Sequence, residues 1–234
     1  MSERAGDLAA DRERALALTP VSRETAARLD RFVDVLLTWQ EHTNLIAAST
    51  EATIWTRHIA DSLQLLPLAP NSRVWADLGS GAGFPGLVIA CALADELGAQ
   101  MHLVESNHKK STFLREAIAA TQAPAIVHTV RIEDFVENIP QNIEVATAHA
   151  LAPLPALLPM VYPLLKRGAL GLFLKGQDVG VELTEAAKCW NIQSTLVQSL
   201  TDLTGQIVVV RDLEPVLGPA SRKGKRSNKG HRPR

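Results

Sequence analysis

The feature that most constrains this chain is an apolar strand that runs into a glycine-dense turn, with the sequence Val74-Trp-Ala-Asp-Leu-Gly-Ser-Gly-Ala-Gly-Phe-Pro-Gly86. Gly81, Gly83 and Gly86 fit the G-x-G-x-x-G spacing, in which a nucleotide ligand sits at a helix N-terminus beyond a parallel strand. The acidic Glu105 follows about 20 residues later, where such a residue binds ribose hydroxyls. The pattern predicts a nucleoside-binding turn, although the same glycines could merely pack a helix on a strand.

The carboxylate of Asp77 separates two kinds of ligand. It lies two residues before Gly79, where it would place a negative charge beside the doubly negative pyrophosphate of a dinucleotide. S-adenosylmethionine carries no phosphate, and a carboxylate can stabilise its ammonium and sulfonium groups. We therefore expect Asp77, Gly81 and Glu105 to bind S-adenosylmethionine. An NAD-dependent oxidoreductase remains an alternative function. A methyltransferase that acts on a small molecule is another, and it would keep the same donor site.

The spacing of apolar residues predicts the fold. A helical N-terminal extension, which includes helices near residues 29–39 and 53–66, precedes an alternation of strands and helices that begins after Asn71. This alternation specifies an α/β, doubly wound, mostly parallel sheet. The last two strands are joined by the short segment 201–206, which is too short for a parallel crossover, so the final strand should be antiparallel. Seven strands are predicted at 74–78, 101–104, 126–130, 145–150, 170–174, 195–200 and 207–210, and the helices between them at 87–97, 109–120, 154–166 and 179–190.

We divide the 234-residue chain into four parts. The tail is strongly basic, because residues 221–234 contain seven Lys or Arg and no acid; outside it, 17 basic residues stand against 25 acidic ones. Such a tail cannot bury a core, and it is either a solubility segment or an arm attracted to polyanions. The predicted parts are a flexible N-terminal segment (1–20), a helical extension (21–71), an S-adenosylmethionine-binding methyltransferase domain (72–213) and a basic disordered tail (214–234).

Composition favours a cytoplasmic protein without membrane contact. No secretory signal is visible at the N-terminus. The segment 145–165 lacks charged residues but contains four prolines, which would break a membrane-spanning helix repeatedly. Cys91 and Cys189 have no neighbouring ligands at metal spacing, so we expect free thiols and no metal site.

Several short motifs carry a family resemblance. They are Asn44-Leu45, Arg57-His-Ile-Ala-Asp-Ser62, the glycine turn from Asp77 to Gly86, Glu105-Ser-Asn-His-Lys-Lys110 followed by Phe113-Leu-Arg115, Arg131-Ile-Glu133, Ala148-His-Ala150 and Lys175-Gly176. In this order and spacing, over residues 25–210, the chain resembles the bacterial small-subunit (16S) ribosomal RNA guanine-N7 methyltransferase G family, also called glucose-inhibited division protein B.

The resemblance implies a Rossmann-like methyltransferase with S-adenosylmethionine as methyl donor. Its partner would be ribosomal RNA or the small ribosomal subunit, and no obligate protein partner is implied. The family pattern assigns Gly79, Phe84, Ile132 and Glu133 to the donor site, with ordinary core or turn packing as the alternative. The family carries arginine where this chain has His149, so a permanent cation is replaced by a ring that is mostly neutral at pH 7. The contact made by His149 at the donor site is therefore open.

The implied chemistry needs positioning and no acid–base catalyst. Guanine N7 has a free lone pair and no proton, so we expect binding residues to hold it in line with the methyl group. Basic residues near the ligand edge of the sheet are candidates for RNA phosphate contacts, and Lys175 should lie near the substrate. A solvated helix face for the lysines and a structural pairing of His58 with Asp61 or Asp77 remain alternatives. The phosphate candidates are Arg57, His58, Lys109, Lys110 and Arg115.

Overall fold

The computed structural model describes residues 2–138 and 142–216. Seven strands form one sheet in the order β3-β2-β1-β4-β5-β7-β6. Strands β1 to β5 are parallel, whereas β7 is antiparallel to both β5 and β6. The predicted doubly wound sheet with an antiparallel final strand is thus confirmed. The strands are β1 (Val74–Leu78), β2 (Gln100–Val104), β3 (Ala125–His128), β4 (Val145–His149), β5 (Leu170–Lys175), β6 (Trp190–Gln198) and β7 (Gln206–Pro215).

Helices cover both faces of this sheet. Side chains of α2, α4 and α5 pack in one apolar cluster, and those of α6, α7 and α8 pack in a second cluster on the opposite face. Neighbouring strand residues therefore enter different clusters, as Trp75 and Ala76 do, and both are fully buried. The helices are α1 (Ser2–Leu18), α2 (Arg23–Gln40), α3 (Asp61–Leu63), α4 (Gly86–Ala92), α5 (His108–Thr121), α6 (Ile132–Glu137), α7 (Leu154–Leu165) and α8 (Val179–Ala186).

The N-terminal segment corrects one prediction. Residues 1–20 were expected to be flexible, but α1 docks on the body through Asp11, which is fully buried. Its carboxylate accepts hydrogen bonds from the backbone N–H groups of Trp55 (2.9 Å) and Thr56 (3.1 Å). These donors lie in the first turn of a π-helical segment, Trp55–Ala60, and would otherwise lack helical partners. The docking combines this long-range polar contact with the burial of Ala15 in the core, and no local spacing in the sequence reveals it.

Several other boundaries differ from the prediction. The helix expected at 53–66 is a series of short pieces: a 3₁₀ turn (Ala48–Thr53), the π-helical segment, α3 and a second 3₁₀ turn (Leu66–Leu68). Helix α8 ends at Ala186, and Trp190 begins a strand instead of ending that helix. Strand β7 continues to Pro215, so the basic tail cannot begin at residue 214. The basic residues 221–234 lie outside the described part of the chain.

Candidate active site

The glycine turn is fixed between β1 and β2. Gly79, Gly81 and Gly83 all have φ between 53° and 87°, the left-handed region that glycine enters without a steric penalty. The N–H groups of Gly79 and Ser80 donate to the carbonyl oxygen of Val104 at 2.9 and 3.0 Å. The turn is therefore held at the carboxyl ends of β1 and β2, where an α/β sheet binds its ligand.

Asp77 holds this turn through hydrogen bonds to its buried carboxylate. It is fully buried, its Oδ2 accepts the Gly86 N–H (3.1 Å), and its Oδ1 accepts the Thr147 hydroxyl (3.2 Å). Burial raises the pKa of Asp77 to about 6, although these hydrogen bonds oppose the rise. A Cβ on Gly86 would lie 2.6 Å from the Cβ of Asp77, which explains the glycine there. Asp77 lines neither of the two cavities described below, and the contact of its carboxylate with a donor stays a prediction.

A cavity of about 340 Å³ lies above the turn, and we call it the glycine-turn cavity. Six of the eight predicted donor-site residues line it: Gly79, Gly81, Glu105, Ile132, Glu133 and His149. The remaining lining residues, which the sequence patterns did not assign to the donor site, are Val104, Ser106, Lys110, Val130, Arg131, Ala150, Leu151 and Met160. Its size falls within the range of small-molecule sites.

The residues of the glycine-turn cavity fit a nucleoside without phosphates. Glu105 Oε2 accepts the Gly81 N–H (3.0 Å) and Oε1 accepts the Asn107 N–H (2.7 Å), which fixes a carboxylate that can still accept from ribose hydroxyls. Ile132 supplies apolar surface, and the exposed Glu133 supplies an acceptor. A Cβ on Gly81 would meet only the Gly79 carbonyl oxygen, at 3.7 Å, so the space beside it is open.

Phe84 lies outside this cavity, contrary to its predicted place at the donor. Its buried ring stacks on His58, with centroids 4.8 Å apart, and contacts Phe32 of α2 at 5.3 Å. His58 Nε2 lies 3.0 Å from the Thr50 hydroxyl, and neither Asp61 nor Asp77 pairs with it. Phe84 therefore packs the N-terminal extension against the turn.

His58 is unsuited to hold a phosphate. Burial, helped by nearby His149 and Arg57, lowers its pKa to about 4, so the ring is neutral at pH 7. Its buried Nδ1 has no hydrogen-bond partner among the residues that the structure describes. His58 contributes a neutral imidazole to the site, and its contact with an RNA phosphate stays a prediction.

A second cavity, of about 480 Å³, adjoins the first, and we call it the hairpin cavity because the β6–β7 hairpin loop forms one wall. The two cavities share His149, the last residue of β4, and Ala150 and Leu151, which follow it. Ala150 has φ +51°, a left-handed conformation that is unusual for a residue with a Cβ and that often marks a functional site. The shared segment therefore separates two binding spaces within a short distance of each other.

Paired charges line the hairpin cavity. Arg57 binds Asp202 at 2.8 Å, and Lys175 binds Glu182 at 2.7 Å. The hydrogen bond from Arg57 holds the pKa of Asp202 well below its usual range. Asp202 and Glu182 were not identified from the sequence, because isolated acids in a loop and on a helix carry no distinguishing signal there.

His149 forms the third pair of this cavity. Its Nε2 lies 3.9 Å from Asp61 Oδ2. Burial lowers the pKa of His149, and Asp61 opposes that shift. Asp61 belongs to the Arg-His-x-x-Asp-Ser motif of the sequence. His149 thus contacts a carboxylate of the hairpin cavity besides lining the glycine-turn cavity.

The remaining basic candidates are dispersed. Lys110 lines the glycine-turn cavity, whereas Lys109 Nζ donates to the carbonyl oxygen of His42 (3.1 Å) and Arg115 donates to the Thr129 hydroxyl (2.7 Å). Lys109 is exposed in the first turn of α5, and Arg115 is exposed near the middle of that helix. Their contact with RNA phosphates stays a prediction.

Comparisons with known proteins agree with this geometry. The family described as rRNA small subunit methyltransferase G matches residues 25–210. A protein of that name from Bradyrhizobium sp. strain BTAi1 is 58% identical over 207 residues, which cover 88% of this chain and 93% of the relative. The protein of the same name from Rhodopseudomonas palustris strain BisB5 is 51% identical over 214 residues and covers 92% of each chain.

Solved structures support the fold. An O-methyltransferase from Streptomyces achromogenes, solved in complex with SAM, has a TM-score of 0.57 at 11% identity and covers 91% of this chain and 100% of its own. An O-methyltransferase from Bacillus cereus, in complex with SAH, has a TM-score of 0.56 at 11% identity, with 87% and 97% covered. At such low identity the likeness establishes a Rossmann-like methyltransferase fold. Within residues 2–138 and 142–216, no helix has both the length and the apolar character to cross a membrane.

Proposed function

The chain belongs to the rRNA small subunit methyltransferase G family, and on this premise we propose that it transfers a methyl group from S-adenosylmethionine to guanine N7 of small-subunit ribosomal RNA. The observation that carries the proposal is the meeting of two cavities at His149, Ala150 and Leu151. The glycine-turn cavity would hold the donor, and the hairpin cavity would receive the base. The basic tail remains part of the proposal as an RNA-attracting arm, and a cytoplasmic location fits this substrate.

The donor assignment is supported by the residues of the glycine-turn cavity. When bound, S-adenosylmethionine supplies an electrophilic methyl group on a positively charged sulfur. Glu105, fixed by two backbone N–H groups, would accept hydrogen bonds from the ribose hydroxyls. Ile132 would contact the adenine ring, and Glu133 would accept a hydrogen bond from the adenine amino group. A pyrophosphate would face these two carboxylates, which disfavours the NAD alternative.

The acceptor chemistry agrees with the protonation states of the site. Guanine N7 attacks through its own lone pair, so no residue has to remove a proton from the nucleophile. The pKa values of His58 and His149 are both lowered by burial, which keeps both rings neutral at pH 7. The site would act by fixing N7 against the methyl group and by excluding water. Because N7 faces the deep major groove of an RNA duplex, the target guanosine should lie in a loop or be extruded.

Two measurements test this proposal. S-adenosylhomocysteine should raise the melting temperature and NAD should not, because a ligand at 100 times its Kd stabilises the fold by about 2.7 kcal/mol. Label from methyl-labelled S-adenosylmethionine should enter small-subunit RNA from cells that lack this activity. Large-subunit RNA from the same cells is the control. Stabilisation by NAD alone, or equal labelling of both RNAs, would contradict the proposal.

A further inference from the structure

The hairpin cavity is lined by cations that already have carboxylate partners. Arg57 and Lys175 are each within 2.8 Å of an acid, and the neighbouring histidines are neutral at pH 7. A phosphate would have to displace Asp202 or Glu182 from these pairs, at the cost of leaving a carboxylate beside it. The cavity therefore suits a neutral group that offers both hydrogen-bond donors and acceptors, as a nucleobase does.

Lys175 and Glu182 form the most enclosed of these pairs. Their side chains are 10% and 22% exposed. Lys175 Nζ donates to the carbonyl oxygen of Ala152 (2.6 Å) and to Glu182 Oε2 (2.7 Å), which leaves the third of its three donors. Glu182 Oε2 also accepts the Leu154 N–H (2.6 Å). Glu182 Oε1 receives no hydrogen bond from any described residue. The pair thus offers one donor beside one acceptor to the cavity.

This donor–acceptor order complements one base. The Watson–Crick edge of guanine carries the acceptor O6 beside the donors N1–H and N2–H, whereas adenine carries a donor at N6 beside the acceptor N1. We propose that Lys175 and Glu182 recognise the target guanine by this edge, with Lys175 Nζ donating to O6 and Glu182 Oε1 accepting from N1–H and N2–H. Adenine would place its amino group against the ammonium and its N1 lone pair against the carboxylate.

This assignment rests on the proposed function and gives it a specificity. N7 lies on the Hoogsteen edge of guanine, which meets the Watson–Crick edge at O6 and lies across the rings from the 2-amino group. A base held through N1 and N2 keeps its N7 edge free to face His149, Ala150 and Leu151, where the cavities meet. Lys175 was predicted to lie near the substrate, and the structure adds Glu182 as its partner on α8. Neither residue carries out a proton transfer in this account.

Nucleotide binding tests the assignment without relying on methyl transfer. We would titrate the wild-type protein, saturated with S-adenosylhomocysteine, with guanosine, inosine and adenosine 5′-monophosphates and follow binding by calorimetry or NMR. Inosine lacks only the 2-amino group, so the expected order of affinity is guanosine, then inosine, then adenosine. The difference between guanosine and adenosine should be about tenfold or more, since a two-bond base contact supplies that much discrimination. Equal affinities, or no detectable binding of the guanosine nucleotide, would overturn the assignment.

The variant Glu182→Gln separates recognition from structure. Glutamine keeps one oxygen for the Leu154 N–H but turns its amide NH₂ toward the base, so the preference for guanosine should fall to about twofold or less while the melting temperature stays near that of wild type. Asp202→Asn is the matched control, because it alters the other ion-paired carboxylate of the cavity and should retain the preference. An unchanged preference in Glu182→Gln would refute the assignment. The wild-type protein could methylate N7 in small-subunit RNA and yet show no preference for the guanosine nucleotide. That result would refute only the recognition of guanine by Lys175 and Glu182 and would leave the proposed function intact.

Discussion

Replacing Asp77 by asparagine should change the pH dependence of stability and leave donor binding almost unchanged. Asparagine can keep the hydrogen bond from the Gly86 N–H through its oxygen and direct its NH₂ toward the Thr147 hydroxyl, which accepts. What the substitution removes is the cost of ionising a fully buried carboxyl group. Because Asp77 does not line the glycine-turn cavity, the affinity for S-adenosylhomocysteine should stay within about twofold of wild type.

The size of the effect follows from the pKa of Asp77, which burial raises from 3.8 to about 6. One pKa unit corresponds to about 1.4 kcal/mol, so the shift amounts to about 3 kcal/mol. The folded state binds this proton more tightly than the unfolded state does. The contribution of Asp77 to stability is therefore fully present below pH 3.8 and is lost as the pH rises through about 6. The free energy of unfolding of the variant, relative to wild type, should increase by up to about 3 kcal/mol as the pH rises through and beyond this interval.

Urea denaturation of both proteins at several pH values between about 4 and 7 measures this difference, and the subtraction cancels the other titrating groups. Asp95→Asn is the control. The exposed Asp95 pairs with Arg28 at 2.7 Å, and that hydrogen bond lowers its pKa, so this variant should not reproduce the rise. If the difference in stability between Asp77→Asn and wild type does not change with pH, the raised pKa of the buried Asp77 carboxyl group is refuted. Loss of S-adenosylhomocysteine binding in a well-folded Asp77→Asn protein would instead support a direct contact between Asp77 and the donor.

Three further outcomes are expected. Gly79→Ala should weaken S-adenosylhomocysteine binding about tenfold or more in a binding titration, because its Cβ would lie 2.7 Å from Leu151 Cδ1 at φ +74°. Gly168→Ala is the control, because Gly168 has a similar backbone strain (φ +96°) but open space around it, and this variant should bind normally. Equal losses of affinity in the two variants would contradict this expectation. His149→Arg should retain or raise methyl transfer and remove the activity change that protonation of His149 causes below its ordinary pKa of 6.5, whereas an inactive, stable variant would show a site built around the smaller ring. A chain truncated at residue 219 should bind S-adenosylhomocysteine normally, but its affinity for ribosomal RNA should depend less on salt. Each lost phosphate contact lowers the slope of log K against log salt concentration by about 0.7 to 0.9. Identical slopes for the truncated and full-length chains in filter binding would show that the tail is a solubility segment.

The fold was predictable because its signals are local. Alternating strands and helices specify the parallel sheet, and the short segment between the last two strands leaves only an antiparallel pairing for them. The glycine turn was recognisable for the same reason, since Gly79 and Gly81 occupy left-handed positions that their spacing suggests. The docking of α1 was not predictable, because Asp11 contacts residues about 45 positions away through polar atoms.

The candidate site was predictable only in part. Glu105, Ile132 and Glu133 follow strand ends and therefore converge on the ligand edge of the sheet. Asp77 also lies near a strand end, but it enters the same face as Trp75, two residues before it, so its side chain points below the turn. The hairpin cavity joins the π-helical segment, α8 and the hairpin loop, and no spacing in the sequence brings Glu182 and Asp202 to one place. Only the packing of these elements does so.

The most direct test of the central claim is the identity of the methylated nucleoside. The purified protein would be incubated with methyl-labelled S-adenosylmethionine and small-subunit RNA, either free or in assembled subunits, from cells that lack the modification. The RNA would then be digested to nucleosides and separated with mass detection. We predict that the label appears as 7-methylguanosine and is absent when the RNA comes from cells that already carry the modification. Label in another nucleoside, or no transfer by a protein that binds S-adenosylhomocysteine, would contradict the assignment of guanine N7 as the acceptor.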